Sequence, residues 1–223
     1  KACTEGAYRG TFDGDQPAPV RAAGDLRLLE LWHGPTCAFK DMALQMLPRL
    51  VSTARRNLGD DRRAIVLVAT SGDTGKAALE GFRDVDGTGI AVFYPVDGVS
   101  QIQRLQMATQ QGSNVAVQAV EGNFDDCQTG VKHLFAKEQL AERLGEQKMY
   151  LTSANSINWG RLLPQIVYYF SAYADLAASG EIQVGDKLNV AVPTGNFGNI
   201  LACWYAGQMG LPVGKLICAS NSN

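Results

Sequence analysis

The sequence predicts an α/β protein built on a mostly parallel sheet. Short apolar, β-branched runs recur along the chain, and each is followed by a glycine- or polar-rich turn and then a helical stretch. The runs are nearly continuous in apolar residues rather than alternating, as expected of strands covered on both faces. No internal repeat or low-complexity tract interrupts the alternation.

Residues 1–30 are poorly patterned and punctuated by Gly10, Gly14, Pro17, Pro19 and Gly24. From Thr36 the spacing of Phe39, Met42, Ala43, Met46, Leu47, Leu50 and Val51 predicts an amphipathic helix. Ile65–Ala69 is the first strand and Lys76–Phe82 its helix. Ile90–Tyr94 and Ser100–Gln111 form the next pair, and Val115–Val120 and Phe124–Phe135 the third. A helix at Lys137–Arg143 precedes a weaker strand, Met149–Thr152. A long helix follows at Ser156–Leu176, then a strand at Leu188–Val192, a helix at Asn199–Met209 and a strand at Leu216–Ala219. This order divides into an irregular N-terminal segment (1–24), a first α/β lobe (25–155) and a partial second lobe (156–223). The absence of an initiator methionine, and a last residue just past a strand, predict a fragment.

Composition narrows the function. With 223 residues the chain is long enough for a sizeable core. A hydrophobic content of 46%, a charged content of 19% and a formal charge of −2 point to neither nucleic acid nor an anionic membrane as a partner. Five scattered cysteines without a C-x-x-C pair argue against a disulfide framework and a structural zinc site, and make a reducing cytoplasm the expected location. Two distant histidines, His33 and His133, make a histidine metal centre improbable, so no metal site is expected.

Lys40 is the most informative residue. It projects from the apolar arc of the helix beginning at Thr36, between Leu47 and Val51, while Asp41, Gln45 and Arg49 fall on the other side. One reading is a snorkelling lysine with its ammonium in water. The other is an amine whose pKa is lowered by burial, the nucleophile of Schiff-base chemistry.

Three loops bear on that choice, because ligands in open α/β sheets bind beyond the carboxyl ends of strands. Thr70-Ser71-Gly72-Asp73-Thr74-Gly75-Lys76 resembles a P-loop but has Thr70 for the first glycine and Ala77 for the magnesium-binding hydroxyl, which argues against a nucleoside triphosphate. What remains is an anion-binding helix start, or an ordinary cap by Ser71 or Thr74. Pro193-Thr194-Gly195-Asn196-Phe197-Gly198-Asn199 joins strand to helix and suits a phosphate, although glycine is common in such turns for conformational reasons alone. Ser153-Ala154-Asn155-Ser156-Ile157-Asn158, followed by Arg161, is either a cap by Ser156 or Asn155 or a polar wall for a phosphorylated or zwitterionic substrate.

Together these motifs, with Glu30-Leu31-Trp32-His33-Gly34-Pro35-Thr36-Cys37-Ala38-Phe39-Lys40-Asp41 and Ala69 to Gly75, resemble threonine synthases, pyridoxal 5'-phosphate (PLP) enzymes of the tryptophan-synthase-beta-like fold type II. The resemblance runs from about Asp25 to the end, with the four motifs in the family's order. It implies two mostly parallel α/β lobes with the cofactor cleft between them, the second lobe incomplete. It implies Lys40 as the catalytic Schiff-base lysine, and Gly195, Asn196, Phe197, Gly198 and Asn199 as the holders of the cofactor phosphate. Ser71, Gly72, Asp73 and Thr74 would face the substrate carboxylate and the cofactor ring. Ser153, Asn155, Ser156, Asn158 and Arg161 are the further substrate-binding candidates. Asp73, where sister families usually carry asparagine, looks like the longer bacterial and fungal branch.

The implied reaction converts O-phospho-L-homoserine and water to threonine and phosphate, a carbon–oxygen lyase activity of threonine biosynthesis, in a monomer or homodimer. A phospho-amino-acid lyase yielding a keto acid and an inactive fragment that keeps only the fold are the alternatives. The family's hydroxyl partner to the pyridine nitrogen maps to no residue of this chain.

Overall fold

A computed structural model describes residues 1–156, 158–193 and 195–222. Ile157 and Thr194, which belong to two of the motifs above, lie outside the described residues.

The N-terminal segment is more regular than its composition suggests. It forms α1 (Ala2–Tyr8) and a hairpin of β1 (Val20–Ala23) and β2 (Leu26–Leu29), paired antiparallel. Tyr8, Phe12 and Ala18 are spaced too irregularly to show a period, yet all three pack into one apolar cluster with residues far along the chain. The predicted helix from Thr36 is instead a turn followed by two pieces, α2 (Asp41–Leu44) and α3 (Leu47–Asn57). Pro48 lies in the first turn of α3, where its missing N–H costs nothing.

The main sheet holds β3 (Arg63–Ala69), β4 (Thr88–Pro95), β5 (Val115–Val120) and β6 (Met149–Ser153), all parallel, in the order β5-β4-β3-β6. Between them run α4 (Asp73–Phe82), α5 (Gln101–Ala108), α6 (Phe124–Ala136) and α7 (Glu138–Glu146). Val66, Val68, Ile90, Val92 and Tyr94 turn one face of the sheet onto Leu44, Leu47, Ala77, Ala78, Leu79, Phe82 and Met107. The other face lies against α6 and is less completely covered, with Ile65, Ala69, Ala91 and Phe93 half-buried. α2 and α4 approach closely: a Cβ on Gly81 would stand 2.0 Å from the Leu44 carbonyl oxygen.

The rest is a βαβ unit, β7 (Leu188–Pro193), α9 (Gly198–Gln208) and β8 (Val213–Ala219), preceded by α8 (Trp159–Ala178). Leu162, Ile166, Tyr168, Tyr169 and Tyr173 of α8 form a second core with Ala202, Cys203 and Ala206 of α9, and Met42 of α2 joins it. No helix among the described residues is long and apolar enough to cross a membrane.

The strand order marks a candidate site. The chain steps outward from β3 to β4 to β5 and then returns to the far side of β3 as β6. The crevice beyond the carboxyl ends of β3 and β6 is therefore a topological switch point, where open α/β sheets bind ligands. The loops leaving those two strands are the ones that carry Ser71–Thr74 and Ser153–Asn158.

Candidate active site

Lys40 is the N-cap residue of α2, not a residue of a helix interior. The turn before it is fastened by Asp41, whose carboxylate accepts from the Thr36 backbone N–H at 2.8 Å and from the Thr36 hydroxyl at 2.7 Å. Asp41 and Gln45 were expected on the polar side of the helix, but both are buried, Asp41 completely. Helical periodicity misplaced them because the helix is broken after Leu44 and the carboxylate turns back into the preceding turn. Burial raises the Asp41 carboxyl above its usual range, and the bonds from Thr36 oppose that rise.

The Lys40 side chain is 19% exposed. Its Nζ stands 3.5 Å from Asp73 Oδ2 and 4.6 Å from the centroid of the Phe39 ring. Burial lowers its pKa; the Asp73 carboxylate opposes that, Arg161 adds to it, and Asp41 opposes it weakly. Of the two readings of Lys40, the ammonium free in water fits this geometry poorly.

Asp73 stands in the first turn of α4 at the end of the β3 loop. Neither Ser71 nor Thr74 caps that helix; its N-cap is Gly72, without a side-chain bond. The buried Thr70 does the work instead, its hydroxyl oxygen accepting from the N–H groups of Gly72 and Gly75, each at 3.0 Å. Gly72 has φ +153°, a conformation disfavoured for residues with a Cβ. Ser71 and Asp73 are exposed and Thr74 half-buried. The Asp73 carboxylate accepts from Gln103 Nε2 at 2.8 Å, a contact that motif reading missed. The signal for it was the pair Ser100 and Gln103, three residues apart, which forms the capping box of α5.

Across the switch point, the cap of α8 falls to Asn158, not to Ser156 or Asn155. Its Oδ1 accepts from the Gly160 N–H at 2.8 Å and its Nδ2 donates to the Ser153 carbonyl at 3.2 Å. Asn155 is exposed, and Ser153 and Ser156 are half-buried. Arg161 is 3% exposed; one Nη donates to the Ala154 carbonyl at 2.7 Å, while Nε has no partner among the described residues. Burial pushes its pKa down to about 10. Lys76, the other cation near the loop, donates to Gln110 at 2.5 Å and pairs with Glu80 at 3.5 Å.

The α8 helix carries the site toward the third loop. Gln165, one turn after Arg161, donates to the Arg161 carbonyl at 2.7 Å, and a Cβ on Gly198 would lie 4.0 Å from its Nε2. Tyr169 donates to the Asn199 carbonyl at 2.9 Å. In this loop Phe197 adopts a left-handed conformation (φ 58°) as N-cap of α9 without a side-chain bond of its own, and Asn199 Oδ1 accepts from the Ile200 N–H at 3.0 Å. Gly195, Asn196 and Phe197 are exposed, and Gly198 and Asn199 half-buried. The structure thus joins Lys40 to Asp73 by contact and to Arg161 by charge, and places Gly198 and Asn199 against the helix that carries Arg161, while Gly195, Asn196 and Phe197 stay exposed.

These groups suit a phosphorylated aldehyde. A half-buried amine with a lowered pKa can condense with a carbonyl, the helix start at Gly198 and Asn199 offers N–H groups to a phosphate, and the Arg161 Nε is a buried donor without a partner among the described residues.

No family model matches the sequence. The chain is 46% identical over 226 residues to the Homo sapiens protein "Threonine synthase-like 1", covering 98% of this chain and 30% of that protein. It is 46% identical over 215 residues to the threonine synthase of Pseudomonas aeruginosa, covering 96% of this chain and 43% of the enzyme. The crystal structure of a PLP-bound threonine synthase from Brucella melitensis superposes with a TM-score of 0.85 at 41% identity, over 99% of this chain and 45% of the other. The chain therefore spans less than half the length of these relatives. O-ureido-L-serine synthase, at 16% identity and a TM-score of 0.59, shares the fold alone. By identity along nearly its whole length and by its fold, the chain is similar to part of the threonine synthases and shares their pyridoxal-phosphate fold type II.

Proposed function

We propose that the chain holds PLP at Lys40 and that the protein it serves converts O-phospho-L-homoserine and water to L-threonine and phosphate. The observation that carries this reading is the half-enclosed Lys40 amine, 3.5 Å from Asp73 at a topological switch point. The relatives named threonine synthase support threonine as the product. In this reading the cofactor lies between a lobe of residues 25–155 and a lobe of residues 156–223.

Lys40 would hold the cofactor as a Schiff base, and Gly195 to Asn199 would receive its phosphate on backbone N–H groups. When bound, PLP supplies the electron sink that makes carbanion chemistry at the substrate Cα accessible. The protein's own part is positioning and proton transfer. Once the substrate amino group had replaced it, the freed Lys40 Nζ would take the proton from Cα and return one to it, and an amine kept from full solvation is better matched to that task near neutral pH than an ordinary lysine. Asp73 keeps the amine oriented. Ser71 to Thr74 present a helix start to the substrate carboxylate. Arg161, with Ser153, Asn155, Ser156 and Asn158 around it, is the cation available to a phosphate leaving from Cγ.

The test is phosphate release from O-phospho-L-homoserine by the whole protein, with amino-acid analysis of the product. Threonine formed by the wild type and lost in Lys40→Ala supports the reading. A keto acid in place of threonine assigns a lyase, and activity surviving in Lys40→Ala removes Lys40 from the reaction.

A further inference from the structure

We propose that Gln103 is a positioning residue for the Lys40 amine: its side-chain amide, locked into the cap of α5, holds the Asp73 carboxylate toward Lys40. This role rests on the reading of Lys40 as the reactive amine. The geometry is a chain of four groups. Gln103 Oε1 accepts from the Ser100 backbone N–H at 3.2 Å and from the Ser100 hydroxyl at 3.1 Å, while the Ser100 oxygen accepts from the Gln103 N–H at 3.2 Å. Those bonds determine which end of the amide faces outward. A flipped amide would set Nε2 against the Ser100 N–H and Oε1 against a carboxylate, two repulsive contacts in place of two bonds. Nε2 therefore faces Asp73 and donates to Oδ1 at 2.8 Å, leaving Oδ2 at 3.5 Å from Lys40 Nζ.

The loop is shaped around this amide. A Cβ on residue 72 would lie 2.4 Å from Gln103 Nε2, so the Gly72 position has no room for a side chain while Gln103 is in place. Without the amide, a carboxylate whose side chain is 50% exposed has water as its competing partner. The charged groups facing Lys40 are Asp73 from α4, Arg161 from α8 and Asp41 from α2 itself. Asp41 is committed to Thr36 and Arg161 repels the ammonium, so Asp73 is the counter-charge whose position can vary.

The test is acetic anhydride labelling of Lys40 in the chain without cofactor, followed by peptide mass spectrometry as a function of pH. Gln103→Met removes the donor at nearly constant volume. Its Lys40 labelling curve should move to lower pH, raising labelling at neutral pH roughly two- to fivefold, the range for a partly exposed ion pair. Asp73→Asn should act in the same direction, and adding Gln103→Met to Asp73→Asn should produce no further shift. An unmoved curve in Gln103→Met, or a full shift persisting in the Asp73→Asn background, overturns the proposal.

Should Gln103→Met fail to fold, Gln103→Glu keeps the acceptor for Ser100 and turns its second oxygen on Asp73. It should lower the thermal midpoint, and adding Asp73→Asn, whose amide can donate to Glu, should restore it; no recovery overturns the proposal. The visible band of the wild-type chain with PLP is read separately. Its absence removes the functional reading, whereas the labelling curves judge the positioning role alone.

Discussion

Gly81→Ala probes how the spacing of α2 and α4 sets the site. An added Cβ would stand 2.0 Å from the Leu44 carbonyl oxygen and 2.7 Å from its carbonyl carbon, both backbone atoms that no rotamer change can move. Cβ contacts below 3.0 Å are essentially never seen, so the helices must separate by about an ångström. Leu44, Ala77, Ala78 and Leu79 at this contact are completely buried, and a gap of that size forfeits much of their dispersion energy. Overpacking of this kind costs about 3 kcal/mol at the upper end of its usual range. The gain in helix propensity from glycine to alanine returns at most about 1 kcal/mol. The net loss of about 2 kcal/mol, divided by a urea slope of about 2 kcal/mol per molar, lowers the unfolding midpoint by roughly 1 M. Lys40 caps α2 and Asp73 begins α4, so the same separation should lengthen the Lys40–Asp73 pair and change Lys40 labelling by acetic anhydride. An unchanged or higher urea midpoint, the outcome helix propensity alone would give, refutes the reasoning.

Other substitutions address the site piece by piece. Lys40→Met should stabilise the chain at neutral pH, because burial lowers the folded pKa below the ordinary value of 10.5 and the amine must be charged at a cost there. Between the folded pKa and 10.5 the unfolded state binds more protons, so wild-type stability rises with pH through that window and the advantage of Lys40→Met shrinks; urea midpoints at several pH values test the sign. Thr70→Val leaves the Gly72 N–H without its acceptor, while the Gly75 N–H keeps the Gly72 carbonyl at 3.0 Å, and should cost about 1 kcal/mol in chemical denaturation. Asn158→Ala should cost about 1 kcal/mol as the loss of a helix cap, whereas Ser156→Ala should change the thermal midpoint little.

The sheet was legible because its strands are apolar runs with few competing readings. Val115–Val120 begins and ends where the alternation places it, and Ile65–Ala69 and Ile90–Tyr94 are extended only at their ends. The region around Lys40 was harder, since a periodic pattern continues across the break after Leu44 and nothing in it shows that Asp41 folds back to Thr36. Residues 1–30 hid their order because Phe12 and Ala18 are buried, and Tyr8 partly buried, by contacts with distant residues, not by a local period. The identities of the loops were readable from glycine and hydroxyl residues, but their wiring was not. Ser71, Thr74, Asn155 and Ser156 are all plausible caps by type, and Thr70 and Asn158 hold the bonds because tertiary position favours them. Gln103 lay outside every motif weighed, as its role depends on α5 lying beside the β3 loop.

The central claim is that Lys40, among the lysines of this chain, carries the cofactor. Its most direct measurement is borohydride reduction of the PLP-loaded chain followed by peptide mapping. The account predicts one pyridoxyl-lysine, at Lys40, whose formation is suppressed in Lys40→Ala. Modification spread over surface lysines such as Lys148 and Lys187, or concentrated on Lys76, would contradict it.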